Sequence, residues 1–234
     1  MKIVAFLAKS HYLVVAMIFF TIAALVVGII RYRYHRTLRI FTWYIAFSLL
    51  TDLIASYIYA YWPRGSFPMQ VMNATTIIFS LFEFVVCNLF ILHYISSQPR
   101  RRIIRISGLL YFAALLFVVF VTYPLYYDEY YTVPEAIFLV IPCLFYFYEL
   151  FLTRNLRPLT DQPAFWVVTG ILFLNACDIP LLVTANFMGN AHDFNEAYSL
   201  NYVLYSILFV LLIRAFLCPP EESSTKNGFA AKPE

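Results

Sequence analysis

Seven long apolar runs constrain this chain more than any other feature of its sequence. A transmembrane helix needs about 20 mostly apolar residues, because the hydrocarbon core of a bilayer is about 30 Å thick and a helix rises 1.5 Å per residue. The runs therefore predict an all-α, polytopic membrane protein that folds as a seven-helix bundle. They cover approximately residues 13–30, 40–61, 72–95, 106–123, 136–152, 165–187 and 198–217.

Composition supports a membrane protein and limits what else the chain contains. Hydrophobic residues make up 62% of the 234 positions and charged residues 12%, whereas soluble domains are about 45–50% apolar and about 25% charged. We expect one transmembrane domain, residues 1–218, and a disordered cytoplasmic tail, residues 219–234. The first run follows Lys2 and Lys9 and could be a cleaved signal peptide. Its length of about 18 residues exceeds the usual 7–15, so we expect it to be retained.

The distribution of basic residues predicts the orientation of the bundle. All but three of the 16 lysines and arginines follow the first, third or fifth run or lie near the C-terminus, and the exceptions are Lys2, Lys9 and Arg64. Positive charge accumulates on the cytoplasmic side of membrane proteins. We therefore expect the N-terminus outside and the C-terminus inside, in the cytoplasmic membrane of the cell. Basic residues confined to short turns give no support to nucleic-acid binding.

A polar stripe in the third run provides the first functional candidate. Its members recur at steps of three or four, so that on a helix they share one face. Glu83 lies near the middle of this stripe, where a charged side chain costs roughly 2.5–3.5 kcal/mol on insertion scales. The stripe is therefore expected to face the bundle interior or a wet cavity. It consists of Asn73, Thr76, Ser80, Glu83 and Cys87.

Polar side chains in other runs suggest a shared intramembrane pocket for a ligand or a proton. No lysine or arginine lies well inside any run except Arg214, so we expect the pocket acids to be protonated, to hold an exchangeable cation or to be reached by water. Alternatively, they are only interhelical glue, hydrogen-bonded to neighbouring helices. Counting 1.5 Å per residue places the two aspartates in an outer layer and the two glutamates in an inner one. The assigned residues are Asp52, Glu83, Glu149, Asn175, Asp178 and Asn201.

The fourth, fifth and sixth runs complete the predicted layout. The fourth run has no ionisable residue and is expected to face lipid most. Glu135 falls in the acidic and aromatic loop at residues 124–135, outside the predicted fifth helix. Pro142 and Pro180 are expected to kink their helices, because proline frees a backbone carbonyl.

Short motifs in the second half of the chain resemble a known family. They are the segment SLFEF at residues 80–84, the segment YFYELF at 146–151, the segment PAFW at 163–166 with Gly170, and the asparagine-bearing seventh run. Together they resemble a group of small, uncharacterised bacterial seven-helix integral membrane proteins over most of runs three to seven. The resemblance implies a bacterial inner-membrane location and no assigned activity. The family's sixth run is usually rich in serine and glycine where this chain has Asn175 and Asp178, so no role for Asp178 follows from it.

The function predicted from these features is that of a sensory or receptor-like component. It would bind an unknown small ligand in the pocket and signal to a separate protein. The alternative is a small solute carrier, with the acids available for proton coupling. An intramembrane enzyme comes third, because histidines and activated nucleophiles are scarce, and we assign no catalytic residue. The four cysteines have no CxxC or Cys/His spacing, so no metal or other cofactor is expected. The lipid bilayer is the one certain partner, and the sequence does not predict an oligomeric state.

Overall fold

The computed structural model describes residues 2–61, 67–122, 129–152, 158–187 and 191–219. Within these ranges, the side chains of residues 2–11, 59–60, 67, 69–70, 73, 121–122, 129–131, 182, 184–187 and 191–198 are not described. The described backbone contains seven α-helices, one 3₁₀ turn at Leu159–Asp161, and no strand. The helices are α1 (Lys2–Arg31), α2 (Arg39–Tyr61), α3 (Phe67–Tyr94), α4 (Gln98–Thr122), α5 (Glu129–Leu152), α6 (Pro163–Phe187) and α7 (Ala191–Leu217).

The helices have the length and surface of a membrane-embedded bundle. Among the described residues, each of the seven contains a stretch long and apolar enough to cross a membrane. Large apolar side chains point away from the protein, and Phe120 on α4 is 82% exposed. Such a surface is stable in lipid and would be unusual in water. The prediction of an all-α, multi-pass bundle of seven helices is confirmed.

Two helices begin earlier than the apolar runs predicted. The structure starts α4 at Gln98, so that Arg100, Arg101, Arg102 and Arg105 lie in its first turns rather than in a connecting turn. It starts α5 at Glu129, which places Glu135 inside a helix and corrects its predicted place in a loop. Hydropathy underestimates both helices because it detects only the apolar part of a helix. The first turns of α4 contain arginines and those of α5 contain glutamates and a threonine, so each apolar run begins later than its helix.

Six of the helices form a closed ring and the seventh lies outside it. Going round the ring, α1 packs on α2, α2 on α3, α3 on α5, α5 on α6, α6 on α7, and α7 on α1. The remaining helix, α4, packs against the outer side of α3 and α5. Because α3 and α5 are separated by one helix in sequence, they run parallel to each other. The centre of the ring is therefore reached by side chains of several helices at once.

Two glycines set how closely neighbouring helices approach. A Cβ atom on Gly170 of α6 would lie 2.8 Å from Leu208 Cδ1 of α7, and a Cβ on Gly28 of α1 would lie 3.0 Å from Thr42 Oγ1 of α2. Small residues at such positions let membrane helices pack backbone to backbone. The Gly170 contact also brings α6 and α7 close together at Leu208.

One end of the bundle is rich in arginine. It is the end at which α1, α3, α5 and α7 finish, and we call it the arginine-rich end. His35, in the turn after α1, donates from Nε2 to the carbonyl oxygen of Cys218 after α7 at 3.1 Å, which ties two helix ends together there. The described arginines at this end are Arg31, Arg33, Arg36, Arg39, Arg100, Arg101, Arg102, Arg105 and Arg214.

Some sequence predictions are not decided by this fold. The tail from residue 220 onward, predicted to be disordered, lies outside the described residues. The helix α5 continues without a break through Pro134 and Pro142, and α6 continues through Pro180. The kinks expected at Pro142 and Pro180 stay predictions. Whether the first run is cleaved as a signal peptide stays open as well.

Candidate functional site

Polar side chains from six helices converge at the centre of the bundle. We call this group the central polar cluster. Four of its members are carboxylates, and the others are tyrosines, a serine and an asparagine. Its residues are Tyr44 and Asp52 of α2, Ser80 and Glu83 of α3, Tyr111 of α4, Glu135 of α5, Asp178 of α6, and Asn201 and Tyr205 of α7.

Glu83 holds the place that the third run predicted for it. Its side chain is 7% exposed, and its Oε1 accepts a hydrogen bond of 3.0 Å from the hydroxyl of Tyr44, which is itself buried. Glu83 also lies close enough to Asp52 and Asp178 for their charges to interact. Ser80 and Cys87 of the same stripe are buried, so the stripe faces the bundle interior as predicted. The side chain of Asn73 lies outside the described part of the chain.

A hydrogen-bonded chain links α4, α3 and α5 beside Glu83. The Ser80 hydroxyl donates to Glu135 Oε2, and Tyr111 places its own hydroxyl 2.9 Å from Ser80 Oγ. A serine has a single proton to give. Because that proton goes to Glu135, Tyr111 must be the donor to Ser80. Tyr111 therefore donates to Ser80, Ser80 donates to Glu135, and Glu135 is the final acceptor of this series of hydrogen bonds.

Glu135 is the functional candidate that the sequence reasoning missed. Its side chain is 5% exposed, and its second oxygen, Oε1, is buried without a hydrogen-bond partner. A helical spacing could have revealed it, since five buried residues of α5 recur at steps of three or four and Glu135 is the first of them. The others are Leu139, Cys143, Tyr146 and Leu150.

Glu149, by contrast, does not belong to the central polar cluster. Its carboxylate accepts hydrogen bonds from the backbone nitrogens of Ser96 at 2.7 Å and Ser97 at 3.0 Å, and it pairs with Arg100 Nη1 at 2.9 Å. The Arg100 guanidinium also lies over the ring of Tyr148, 4.5 Å from its centroid. We call the contacts of Glu149 with Ser96, Ser97 and Arg100 the Glu149 clasp.

The placement of Glu149 in an inner layer with Glu83 was therefore wrong. Glu149 lies three residues before the end of α5 at Leu152, at the arginine-rich end of the bundle. Ser96, which it contacts, is 13 residues beyond Glu83 in the chain and thus about 20 Å further along the bundle. The expectation that the acids lack a fixed countercharge also fails for Glu149. The early start of α4 brings Arg100 within reach.

Asp178 and Asn201 form the α6 and α7 side of the cluster. One buried oxygen of each, Oδ1 in both cases, has no hydrogen-bond partner. Asp178 is close enough to Glu83 and Glu135 for electrostatic interaction, so these carboxylates share one region. Tyr205 interacts electrostatically with all four acids of the cluster and therefore lies at its centre.

The remaining two predicted pocket residues have lesser roles in this geometry. Asn175 is buried, and its side-chain nitrogen donates to the Ile171 carbonyl oxygen of its own helix at 2.8 Å. That bond does not link two helices. Asp52 is half-buried and interacts electrostatically with Glu83 and Tyr202, so it lies at the rim of the cluster.

The cluster contains four acids and no built-in cation. The helices α3, α5 and α6 have no lysine or arginine, while α2 and α7 have Arg39 and Arg214 near the arginine-rich end. Among the described residues, no group of three or more histidines, cysteines, aspartates or glutamates is arranged to hold a metal ion. The buried oxygens without partners on Glu135, Asp178 and Asn201 are all acceptors. The arrangement can therefore receive a hydrogen-bond donor, and positive charge would be favoured there.

Comparison with known protein families, with curated proteins and with solved structures finds no match to this chain. The resemblance to bacterial seven-helix membrane proteins thus stays a prediction. The central polar cluster and the Glu149 clasp are the features of this chain that bear on its function.

Proposed function

We propose that the protein is a receptor-like membrane protein that binds a small ligand in the central polar cluster and signals through the arginine-rich end to a separate protein. The observation that carries this proposal is that α5 contributes to both places, and that α3 leads from the cluster directly into the connection that forms the clasp. Ser80, Glu83 and Glu135 belong to the cluster, while Ser96 and Ser97, just after α3, form the clasp with Arg100 and Glu149. The two places are about 20 Å apart along the same helices.

The central polar cluster is coupled to the Glu149 clasp because helices move as rigid bodies. A ligand that draws Glu135 toward it shifts α5 relative to α3, because the Ser80 contact between these helices has to adjust. A packed helix transmits such a shift along its axis, and the clasp at the far end must adjust or break. The Glu149 clasp therefore acts as the element whose state reports the occupancy of the cluster.

Orientation is part of the proposal. The positive-inside rule places the arginine-rich end in the cytoplasm of the cell, where a separate signalling protein could bind it. A fluorescent protein fused after Leu217 would then be bright, and alkaline phosphatase fused there would be inactive. The opposite pair of results would contradict this orientation and place the output end outside the cell.

Hydrogen exchange at the clasp tests the coupling. The backbone amides of Ser96 and Ser97 donate to Glu149, so their exchange rates report whether the clasp is closed. Glu135→Gln changes the hydrogen-bonding groups of the cluster without touching the clasp, and we expect it to change exchange at Ser96 and Ser97 at least threefold in lipid nanodiscs. The matched control is Asp161→Asn in the 3₁₀ turn, which should leave these two amides unchanged. Equal exchange in wild type and Glu135→Gln would contradict the receptor proposal.

A carrier is the second candidate, and the four acids without a cation in the cluster favour it. Acids inside a membrane domain often bind the coupling proton of a transporter. A carrier would let protons cross when a pH gradient is imposed on proteoliposomes that contain a pH-sensitive dye, and Glu83→Gln would abolish this flux. A receptor would show no flux above that of protein-free liposomes.

A further inference from the structure

We propose that the ligand of the central polar cluster is a small protonated amine, held by its N–H groups between Glu135 and Asp178. This inference deepens the proposed function, since it names the chemical class of the ligand. It starts from the hydrogen-bonding state of the cluster. The side chain of Glu135 is only 5% exposed, and its Oε1 has no hydrogen-bond partner.

The oxygens without partners specify what the occupant must offer. When the two acids are ionised, Glu135 Oε1, Asp178 Oδ1 and Asn201 Oδ1 all accept hydrogen bonds, so an occupant that donates satisfies all three. Glu135 and Asp178 interact electrostatically, and Asn201 lies one helical turn before Tyr205, which interacts with both acids. An ammonium group has three N–H donors on one atom and can satisfy acceptors that converge from different helices.

The charge of the acids in the cluster further restricts the chemical class of the ligand. The helices α3, α5 and α6, which supply Glu83, Glu135 and Asp178, contain no lysine or arginine. A cationic occupant therefore brings the countercharge with which these acids ionise, whereas a neutral donor such as an alcohol does not. A hydrogen bond between an ammonium group and a carboxylate is about twice as strong as one between neutral groups, and the ammonium also supplies the opposite charge. A cationic ligand therefore fits this site better than an alcohol or an amide.

The surroundings favour an organic cation over a metal ion. Within the described residues, no group of three or more histidines, cysteines, aspartates or glutamates is arranged to hold a metal ion. The centre instead contains aromatic side chains, and Tyr205 lies within electrostatic reach of all four acids, with Tyr44 on the side of Glu83. Aromatic rings attract an alkylammonium group through cation–π interactions and accommodate its apolar part.

Ligand-induced thermal stabilisation in lipid nanodiscs at pH 7 tests this inference. The probes are propylammonium, 1-propanol, tetramethylammonium and potassium chloride at equal concentrations. We expect propylammonium to raise the melting temperature in a saturable manner, and the other three to have no saturable effect. Tetramethylammonium is the decisive comparison, because it has the charge of an amine and no N–H donor.

Variants then locate the binding site. Glu135→Gln and Asp178→Asn should weaken propylammonium binding at least tenfold, since each removes one charged acceptor. Asp161→Asn, the same kind of change outside the cluster, should bind as the wild type does. Equal stabilisation by propylammonium and 1-propanol, or equal binding by the wild type and Glu135→Gln, would overturn the inference. Stabilisation by potassium chloride or tetramethylammonium to the same extent would overturn it as well.

The outcomes separate this inference from the receptor proposal. If propylammonium binds and the exchange of the Ser96 and Ser97 amides stays the same, the amine site is established and the receptor proposal fails. If Glu135→Gln alters the clasp but propylammonium does not bind, the coupling is upheld and the amine inference is wrong.

Discussion

Two glutamates of α5, Glu135 and Glu149, differ in the hydrogen-bond partners that the protein provides for them. Glu149 accepts hydrogen bonds from two backbone amides and an arginine at the end of the bundle. Glu135 accepts one from a serine, retains an oxygen without a partner, and has no arginine or lysine on its own helix. The carboxylate of Glu149 has its hydrogen-bond donors within the protein. The carboxyl group of Glu135 has all its hydrogen bonds only when a bound ligand supplies a further donor.

The difference separates a structural role from a functional one. A buried acceptor without a partner costs about 1–3 kcal/mol, so a chain selected only for stability would replace it. A cluster with three such oxygens is a stability liability that a bound donor would relieve. The Glu149 clasp has no such vacancy, and its contribution is to hold α5 against the start of α4.

The largest expected effect is that of breaking the clasp. Glu149→Leu leaves Arg100 and two backbone amides without their acceptor, and removing one partner of a largely buried pair costs about 3 kcal/mol. Unfolding in mixed detergent should show this loss of free energy. Arg102→Leu, a change at a neighbouring exposed arginine, is the control and should lower the stability by less than about 0.5 kcal/mol. A loss below that value for Glu149→Leu would mean that the clasp does not hold the helices.

The next effect concerns the hydrogen bond between Tyr44 and Glu83. Glu83→Leu leaves the Tyr44 hydroxyl without its acceptor, and interhelical hydrogen bonds in membranes are worth about 0.6–1.7 kcal/mol. Glu83→Gln retains the shape and an acceptor oxygen, so it should unfold within about 0.5 kcal/mol of the wild type. If the two variants are equally stable, the Tyr44 bond contributes nothing and Glu83 is tolerated for another reason.

The interior stripe of α3 could be predicted from sequence because it depends on one helix alone. Steps of three and four residues define a face, and a carboxylate in that face has to avoid lipid, so Ser80 and Glu83 were correctly expected inside. The seven-helix class follows in the same way from the lengths and hydropathy of the runs. Both inferences need only local spacing and the thickness of a bilayer.

The assignments of Glu135 and Glu149 could not be predicted by that route. Their roles depend on which helices are neighbours, and the ring places α5 beside α3 while α4 lies outside. That order brings Ser80 to Glu135 and the start of α4 to Glu149. The spacing within α5 shows that Glu135 shares a face with Leu139 and Cys143, but it does not show which helix lies opposite that face. The apolar run also placed the start of α5 seven residues too late, which made Glu135 appear to lie in a loop.

The smallest expected loss of stability tests the direction of the hydrogen bonds that link Tyr111, Ser80 and Glu135. Tyr111→Phe removes the hydroxyl that donates to Ser80 and leaves the bond from Ser80 to Glu135 in place, so the expected loss is about 0.6 kcal/mol. Tyr148→Phe, in which an exposed tyrosine loses its hydroxyl, is the control. A loss of more than about 2 kcal/mol for Tyr111→Phe would show that the chain is cooperative and that Tyr111 positions Glu135.

The most direct test of the account makes one substitution, glutamate to glutamine, at both positions of α5. For each variant, the free energy of unfolding and the affinity for propylammonium are measured in the same nanodiscs. The account predicts that Glu149→Gln lowers the stability by about 1.5–3 kcal/mol, because it loses a charged hydrogen bond. It predicts that the same variant changes the affinity far less than tenfold, because the clasp lies outside the ligand site and acts on that site only through the coupling between them. It predicts that Glu135→Gln unfolds within about 0.5 kcal/mol of the wild type and binds at least tenfold more weakly. Loss of affinity at position 149 with none at 135 would contradict the separation of structure from function.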